Sequence, residues 1–366
     1  MTVRIINADV MEGLRQLPDG SVHCVVTSPP YWRLRDYGVE GQIGLEPTLG
    51  EFIARLVDVF REVRRVLRDD GTCWVNMGDG YASAGGAGWQ GKNGQRADRR
   101  FTAPNLKPKA ADIGLKPKDL IGQPWRLAFA LQDDGWWLRN DIIWHKPNPM
   151  PETVADRCTK THEYVFLLTK SERYHFDAEA IAEPASPNTN ARSAKIKKPD
   201  GWDTGAGGHG SFHRNGREKG QYVDRPGVGP KSADESSLVK GKGSFHASTV
   251  GHVETRNKRS VWTIATTPFP EAHFATFPPE LPEICIKAGC PKGGTVLDPF
   301  GGAGTTGLVA DRLQRNAILI ELNSRYAAMA KRRLARDRLE RGDGTMDDVK
   351  EAQLPPTPLE ALMAEG

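Results

Sequence analysis

Gly294-Thr295-Val296-Leu297-Asp298-Pro299-Phe300-Gly301-Gly302-Ala303-Gly304-Thr305-Thr306 carries the most specific local pattern in the chain's C-terminal half. A short β-branched run ends in an acid, a glycine turn follows, and the threonines open a helix, which is the strand, loop and helix order of a nucleotide-type site. Ile320-Glu321 ends the next apolar run and places a second carboxylate 23 residues after Asp298, near the spacing at which an acid accepts hydrogen bonds from ribose hydroxyls. The loop matches neither GxGxxG nor the Gly-Lys-Ser/Thr ending of a phosphate loop, so neither NAD nor ATP is the first expectation.

On either side of this segment, apolar runs alternate with helical periods along the chain. Strands are expected at Val3–Ile6, Val22–Thr27, Thr72–Met77, Asp141–Trp144, Tyr164–Thr169, Thr295–Leu297 and Ala317–Ile320. Helices are expected at Val10–Leu17, Glu51–Arg68, Pro124–Gln132, Pro279–Ala288, Thr305–Leu313 and Ser324–Leu339, the second of them stopping at Asp70-Gly71. This alternation predicts an α/β protein with a doubly wound, Rossmann-like sheet.

The 366 residues carry a net charge of +4, which excludes a uniformly basic or acidic chain. The charge is unevenly placed. Residues 92–118 hold eight Lys/Arg against two acids, and 185–260 hold 14 against seven with no hydrophobic period, leaving −9 over the remainder. Basic charge concentrated where the core pattern is absent suits phosphate contact, and solvated linkers are the alternative reading. Five cysteines without a CxxC pair support no disulfide framework or zinc site. No apolar leader or membrane-length run is present, so a reducing cytoplasm is the expected compartment. Residues 341–366 form a polar tail in which no function is legible.

The strand Val22–Thr27 runs into Ser28-Pro29-Pro30-Tyr31-Trp32. Two prolines fix φ and remove two backbone donors, leaving a rigid turn that displays carbonyls. An exocyclic nucleobase amine is a poor nucleophile because its lone pair is conjugated into the ring, and acceptors pulling on its protons help it rehybridise. Ser28 Oγ and the carbonyls of Ser28 or Pro29 are such acceptors, with Tyr31 placed to stack on a flipped base and Trp32 to wall its pocket. A turn or a peptide ligand remains the plain alternative for a Pro-Pro-Tyr string.

Thr27–Trp32 and Asp298–Thr306 together resemble the amino-methylating DNA methyltransferases of the β order, in which the catalytic motif precedes the cofactor motif. The resemblance covers residues 1–182 and 261–340 and implies a methyltransferase sheet that uses S-adenosyl-L-methionine. It implies that Ser28, Pro29, Pro30 and Tyr31 serve catalysis, and that Asp298, Phe300, Gly302, Thr305 and Thr306 line the cofactor pocket. Glu321 would then bind the ribose hydroxyls, Asp9 would lie near the adenine, and Phe277, within His273–Pro278, would help enclose the methionine moiety. Val75–Asp79 and Trp144–Pro149 resemble lesser motifs that support the catalytic pocket by proximity. The insert at 183–260 sits where the family places target recognition, which makes Lys195, Lys197, Lys198, Arg214, Arg217, Arg256, Lys258 and Arg259, together with Trp32, the expected contacts to double-stranded DNA. A homodimer, a companion restriction endonuclease, and a cytoplasmic bacterial or phage-encoded enzyme are further implications, with no role for a membrane or a metal.

None of the five cysteines follows a proline, which disfavours C5-cytosine chemistry through a cysteine nucleophile. Ser28 tilts the target toward N4 of cytosine, with N6 of adenine as the alternative, because Asp is usual at that position in adenine enzymes of this order. Methylation of RNA or of protein glutamine is a second enzymatic alternative, although the glutamine enzymes carry Asn there and the cofactor motif first. A non-catalytic DNA-binding module is the alternative of another class, and it leaves the glycine loop and Glu321 without a purpose.

Overall fold

The computed structural model describes residues 1–36, 38–82, 114–185, 255–267 and 277–352. The main unit comprises Met1–Ile181 and Lys258–Gly366, and a second unit spans Ala182–Asn257.

The strands of the main unit are β1 (Val3–Asn7), β2 (Val22–Thr27), β3 (Leu67–Met77), β4 (Trp137–His145), β5 (His162–Thr169), β8 (Val261–Thr263), β9 (Thr295–Asp298) and β10 (Asn316–Glu321). They form one sheet in the order β1-β10-β9-β2-β3-β5-β4-β8, in which only β5 runs against the rest. β2 is apolar nearly throughout because helices cover both faces of a parallel sheet. One face carries α1 (Val10–Arg15), α2 (Leu49–Val66) and α3 (Gln123–Asp133), which bury Leu14, Phe52, Phe60, Val63 and Leu131 among others. The opposite face carries α4 (Glu280–Gly289), α5 (Thr305–Arg312) and α6 (Ser324–Glu340), which bury Leu281, Ile286, Val309 and Leu334. A short helix, α7 (Met346–Glu351), follows. Among the described residues no helix is long and apolar enough to cross a membrane.

Local signals explain the boundaries. Asp9 caps α1 through Oδ1, which accepts from Met11 N at 2.8 Å. Thr48 and Glu51 close a reciprocal capping box on α2. The expected stop of α2 at Asp70-Gly71 comes earlier, at Val66, and the chain passes straight into β3. Leu67 pairs with Val22 while Thr72 pairs with Cys24, so Arg68–Gly71 are absorbed in a register shift instead of a turn.

In the second unit, the described part is a two-stranded antiparallel ladder of β6 (Glu183–Pro184) and β7 (Thr255–Arg256), closed by an Arg256 Nε to Glu183 Oε2 contact of 3.5 Å.

Candidate active site

The sheet order reverses between β9 and β2: the chain leaves β2 for β3 on one side and β9 for β10 on the other. Ligands of such sheets bind in the crevice beyond the carboxyl ends of the strands at this point. Here those ends are Thr27-Ser28 and Asp298-Pro299, and side chains tie them together. Thr27 Oγ1 donates to Asp298 Oδ1 at 2.7 Å, across 271 positions of sequence. Thr306 Oγ1 donates to Asp298 Oδ2 at 2.7 Å and Phe300 N to Oδ1 at 3.1 Å. Burial pushes the Asp298 carboxyl up to about 6 against the pull of these three donors.

The glycine loop follows from β9. Gly302 adopts φ +50° and Gly304 φ +79°, the left-handed region that favours glycine. A Cβ on Gly304 would stand 2.8 Å from Ala330 Cβ, so this glycine lets α6 approach the loop. A Cβ on Gly302 would meet nothing nearer than Phe300 O at 3.9 Å, so its outer side is open. Gly302 N donates to Glu321 Oε2 and Asn323 N to Glu321 Oε1, both at 2.8 Å. Burial raises the Glu321 carboxyl, opposed by those two amides. Asn7 pairs with Glu321 in the β1–β10 ladder, which brings Asp9, half-buried, to the same rim. Phe300 is half-buried there, packed on the cluster that also takes Tyr31. An acid able to accept from vicinal hydroxyls, a glycine open to close approach and an aromatic side chain fit a nucleoside.

Three residues expected to line the cofactor pocket are committed elsewhere, which corrects the expectation for their side chains. Asp298 is 1% exposed and spent on the threonines. Thr306 is fully buried on Asp298, and the hydroxyl of Thr305 accepts from Arg333 Nη1 at 2.8 Å. Their contribution is the shape of the loop. Phe277 is half-buried against the cluster on the sheet face opposite that of Phe300.

The Ser28–Tyr31 turn leaves Ser28 and Pro30 half-buried and Pro29 buried. Tyr31 reaches across to β5, donating its hydroxyl to Glu163 Oε2 at 2.8 Å. Burial pushes its phenol well above the usual range, Glu163 adds to this, and the Ser28 hydroxyl opposes it. Glu163 also accepts from Asn76 Nδ2 at 3.1 Å and pairs with Lys146. Asn76 and Lys146 thus belong to the two lesser motifs, while Glu163 is a site residue that sequence reasoning missed. Its only signal is an acid directly before the apolar and aromatic run Tyr164–Leu168. Just beyond the same end of β3, Asp79 Oδ1 accepts from Gly122 N and Gln123 N, capping α3 whose own N-cap glycine has no side chain to do so.

Trp32 requires a correction. It is 2% exposed, donates Nε1 to Glu46 O at 2.9 Å and its backbone N–H to Gln123 Oε1 at 3.1 Å, and belongs to the core, not to a DNA surface. Among the other expected DNA contacts, Lys195, Lys197, Lys198, Arg214 and Arg217 lie outside the described residues. Arg256 is paired with Glu183, Lys258 Nζ stands 5.8 Å over the Trp262 ring, and Arg259 O accepts from Trp262 Nε1 at 2.9 Å.

A doubly wound sheet with an open glycine loop and an acid at its switch point is the frame of a Rossmann-like protein that takes a nucleotide-type cofactor. The family model for DNA methylases of the N6/N4 type matches residues 22–332. The Type II methyltransferase M.SmaI of Serratia marcescens is 44% identical over 335 residues, 92% of this chain and 91% of that protein. M.XycI of Xanthomonas campestris pv. cyanopsidis is 45% identical over 330 residues, 90% of this chain and 87% of its own. Among solved structures, TTHA0409 of Thermus thermophilus, assigned as a DNA modification methylase and complexed with S-adenosyl-L-methionine, superposes with a TM-score of 0.51 at 25% identity, covering 92% of this chain and 94% of that one. The cytosine-N4-specific PvuII DNA methyltransferase shares the fold, with a TM-score of 0.55 at 17% identity over 96% and 92% of the two chains. The chain belongs to the N6/N4 DNA methylase family, and it is an S-adenosyl-L-methionine-dependent DNA amino-methyltransferase.

Proposed function

We propose that the chain methylates N4 of cytosine within a specific DNA site. The observation that carries this reading is Ser28 at the head of a carbonyl-displaying turn, held against the glycine loop by the Thr27–Asp298 hydrogen bond. Phe300, Gly302, Glu321 and Asp9 would hold S-adenosyl-L-methionine, with Glu321 accepting from the ribose hydroxyls and the Gly302 backbone allowing close approach. When bound, the cofactor supplies an electrophilic methyl group on a sulfonium. Ser28 Oγ and the Ser28 or Pro29 carbonyl accept hydrogen bonds from the amine, which localises the nitrogen lone pair, while the Tyr31 ring stacks on the flipped base. The protein's contribution is thus orientation and placement of acceptors.

Residues 183–260 supply target recognition, with Lys195, Lys197, Lys198, Arg214, Arg217 and Arg256 from that insert, and Lys258 and Arg259 at its edge, facing phosphates. Support comes from their excess positive charge. The Type II names of the relatives favour a companion restriction endonuclease, the cytoplasm is the compartment that would suit such a pair, and sedimentation tests whether the chain works as a homodimer. Transfer of labelled methyl to mixed-sequence DNA, followed by digestion to nucleosides, tests the central claim. Label in N4-methylcytosine is expected, and label in N6-methyladenine overturns the choice of base.

A further inference from the structure

Tyr31 is the one side chain of the Ser28–Tyr31 turn that reaches another strand, and what it reaches is built to hold it. Glu163 lies at the start of β5, the only reversed strand of the sheet, and therefore arrives at the rim where the parallel strands end. Its Oε2 takes the Tyr31 hydroxyl at 2.8 Å and Asn76 Nδ2 at 3.1 Å, while Oε1 pairs with Lys146. Asn76 is itself fixed by a second bond from Nδ2 to Tyr164 O at 3.1 Å, and Lys146 Nζ lies 4.3 Å from the centre of the Trp144 ring. Gly78 completes the clamp: a Cβ there would stand 2.9 Å from Tyr31 Cε2 and 3.1 Å from Glu163 Cδ, so the backbone closes on the edge of the ring. Groups from β3, β4 and β5 and the residues just beyond their ends thus converge on one phenol.

We infer that Glu163 is a positioning residue for methyl transfer, fixing the long axis of the Tyr31 ring and hence the position of the base stacked on it. The assignment rests on the stacking role proposed for Tyr31. The ring turns about two side-chain torsions: its hydroxyl lies on the axis of the second, so the bond to a carboxylate itself held from two sides fixes where that axis points, and the Gly78 backbone against Cε2 limits rotation about it before the base arrives. Glu163 touches neither cofactor nor base in this scheme. Its effect falls on the approach angle of the amine, where small misplacements are costly.

The test is steady-state kinetics on the full-length enzyme with Tyr31→Ala, Tyr31→Phe, Glu163→Gln, Glu163→Ala and the Tyr31→Phe/Glu163→Ala double variant, alongside equilibrium binding of DNA and cofactor. Glu163→Ala is expected to lower kcat about tenfold to a hundredfold, with both dissociation constants unchanged within about twofold. Tyr31→Phe should lose a comparable factor, the double variant no more than the larger single loss, and Glu163→Gln, which keeps an acceptor for the hydroxyl, should recover part of the rate. Full kcat in Glu163→Ala, losses that multiply in the double variant, or binding that weakens in step with kcat would each overturn the inference. If Tyr31→Ala is inactive while Glu163→Ala keeps full kcat, the stacking role stands and the inference alone falls. If Tyr31→Ala keeps full kcat, both fall.

Discussion

Asp298 shows how one side chain can be central to a site without facing its ligand. Its carboxyl is raised from 3.8 to about 6 by burial, so folding disfavours the ionised form. Stability from this group is therefore fully present below the unfolded value and is lost as pH rises through about 6. Urea unfolding at pH 5 and pH 7.5 should show the wild type losing about 1 kcal/mol more than Asp298→Asn over that interval. Equal losses in the two proteins would place the titration elsewhere. Glu321 is the contrasting acid: each of its oxygens holds one backbone amide at the open rim, and capacity to accept remains. Calorimetric titration with S-adenosyl-L-methionine should show Glu321→Ala binding about tenfold to a hundredfold more weakly, the worth of hydrogen bonds to a charged acceptor.

At the scale of elements, the two left-handed glycines of the loop separate shape from access. Gly304→Ala drives a methyl to 2.8 Å from Ala330 Cβ, so thermal denaturation should reveal a loss of about 2 kcal/mol or more. Gly302→Ala meets no such obstacle and should cost the fold only about 1 kcal/mol for its backbone conformation while weakening cofactor binding. A variant pair with the reverse pattern would show that the open side of Gly302 is not where the ligand comes. Much of this layer is legible in the sequence, because β2 and β9 declare themselves by apolar runs ending in Ser-Pro-Pro and Asp-Pro. The rest is hidden for physical reasons. β8 is three residues long with Val261 58% exposed, too short and too wet to leave a periodic trace. The reversal of β5 has no signature in periodicity, since a buried strand reads the same in both directions, and with it the place of Glu163 opposite Tyr31 is invisible. Trp32 misleads because adjacency to a catalytic turn suggests exposure, whereas Gln123 and Glu46 draw it inward.

Across the whole molecule, charge is partitioned between regions, since the segment 185–260 is strongly positive while the chain as a whole carries +4. Replacing Lys195, Lys197, Lys198, Arg214 and Arg217 by Gln should flatten the dependence of log K for DNA on log salt by about 0.9 for each phosphate contact removed. A slope that does not move would shift the footprint to residues 92–118.

The strand order carries one more consequence. Reading across the sheet, β1 comes from before the insert, β10 and β9 from after it, β2, β3, β5 and β4 from before, and β8 from after. Among these strands the two stretches of chain alternate, meeting along three ladders, so the protein is laced rather than hinged. A protease site engineered between 186 and 254 and then cut should yield two fragments that co-elute on gel filtration and still bind S-adenosyl-L-methionine, parting only under denaturant.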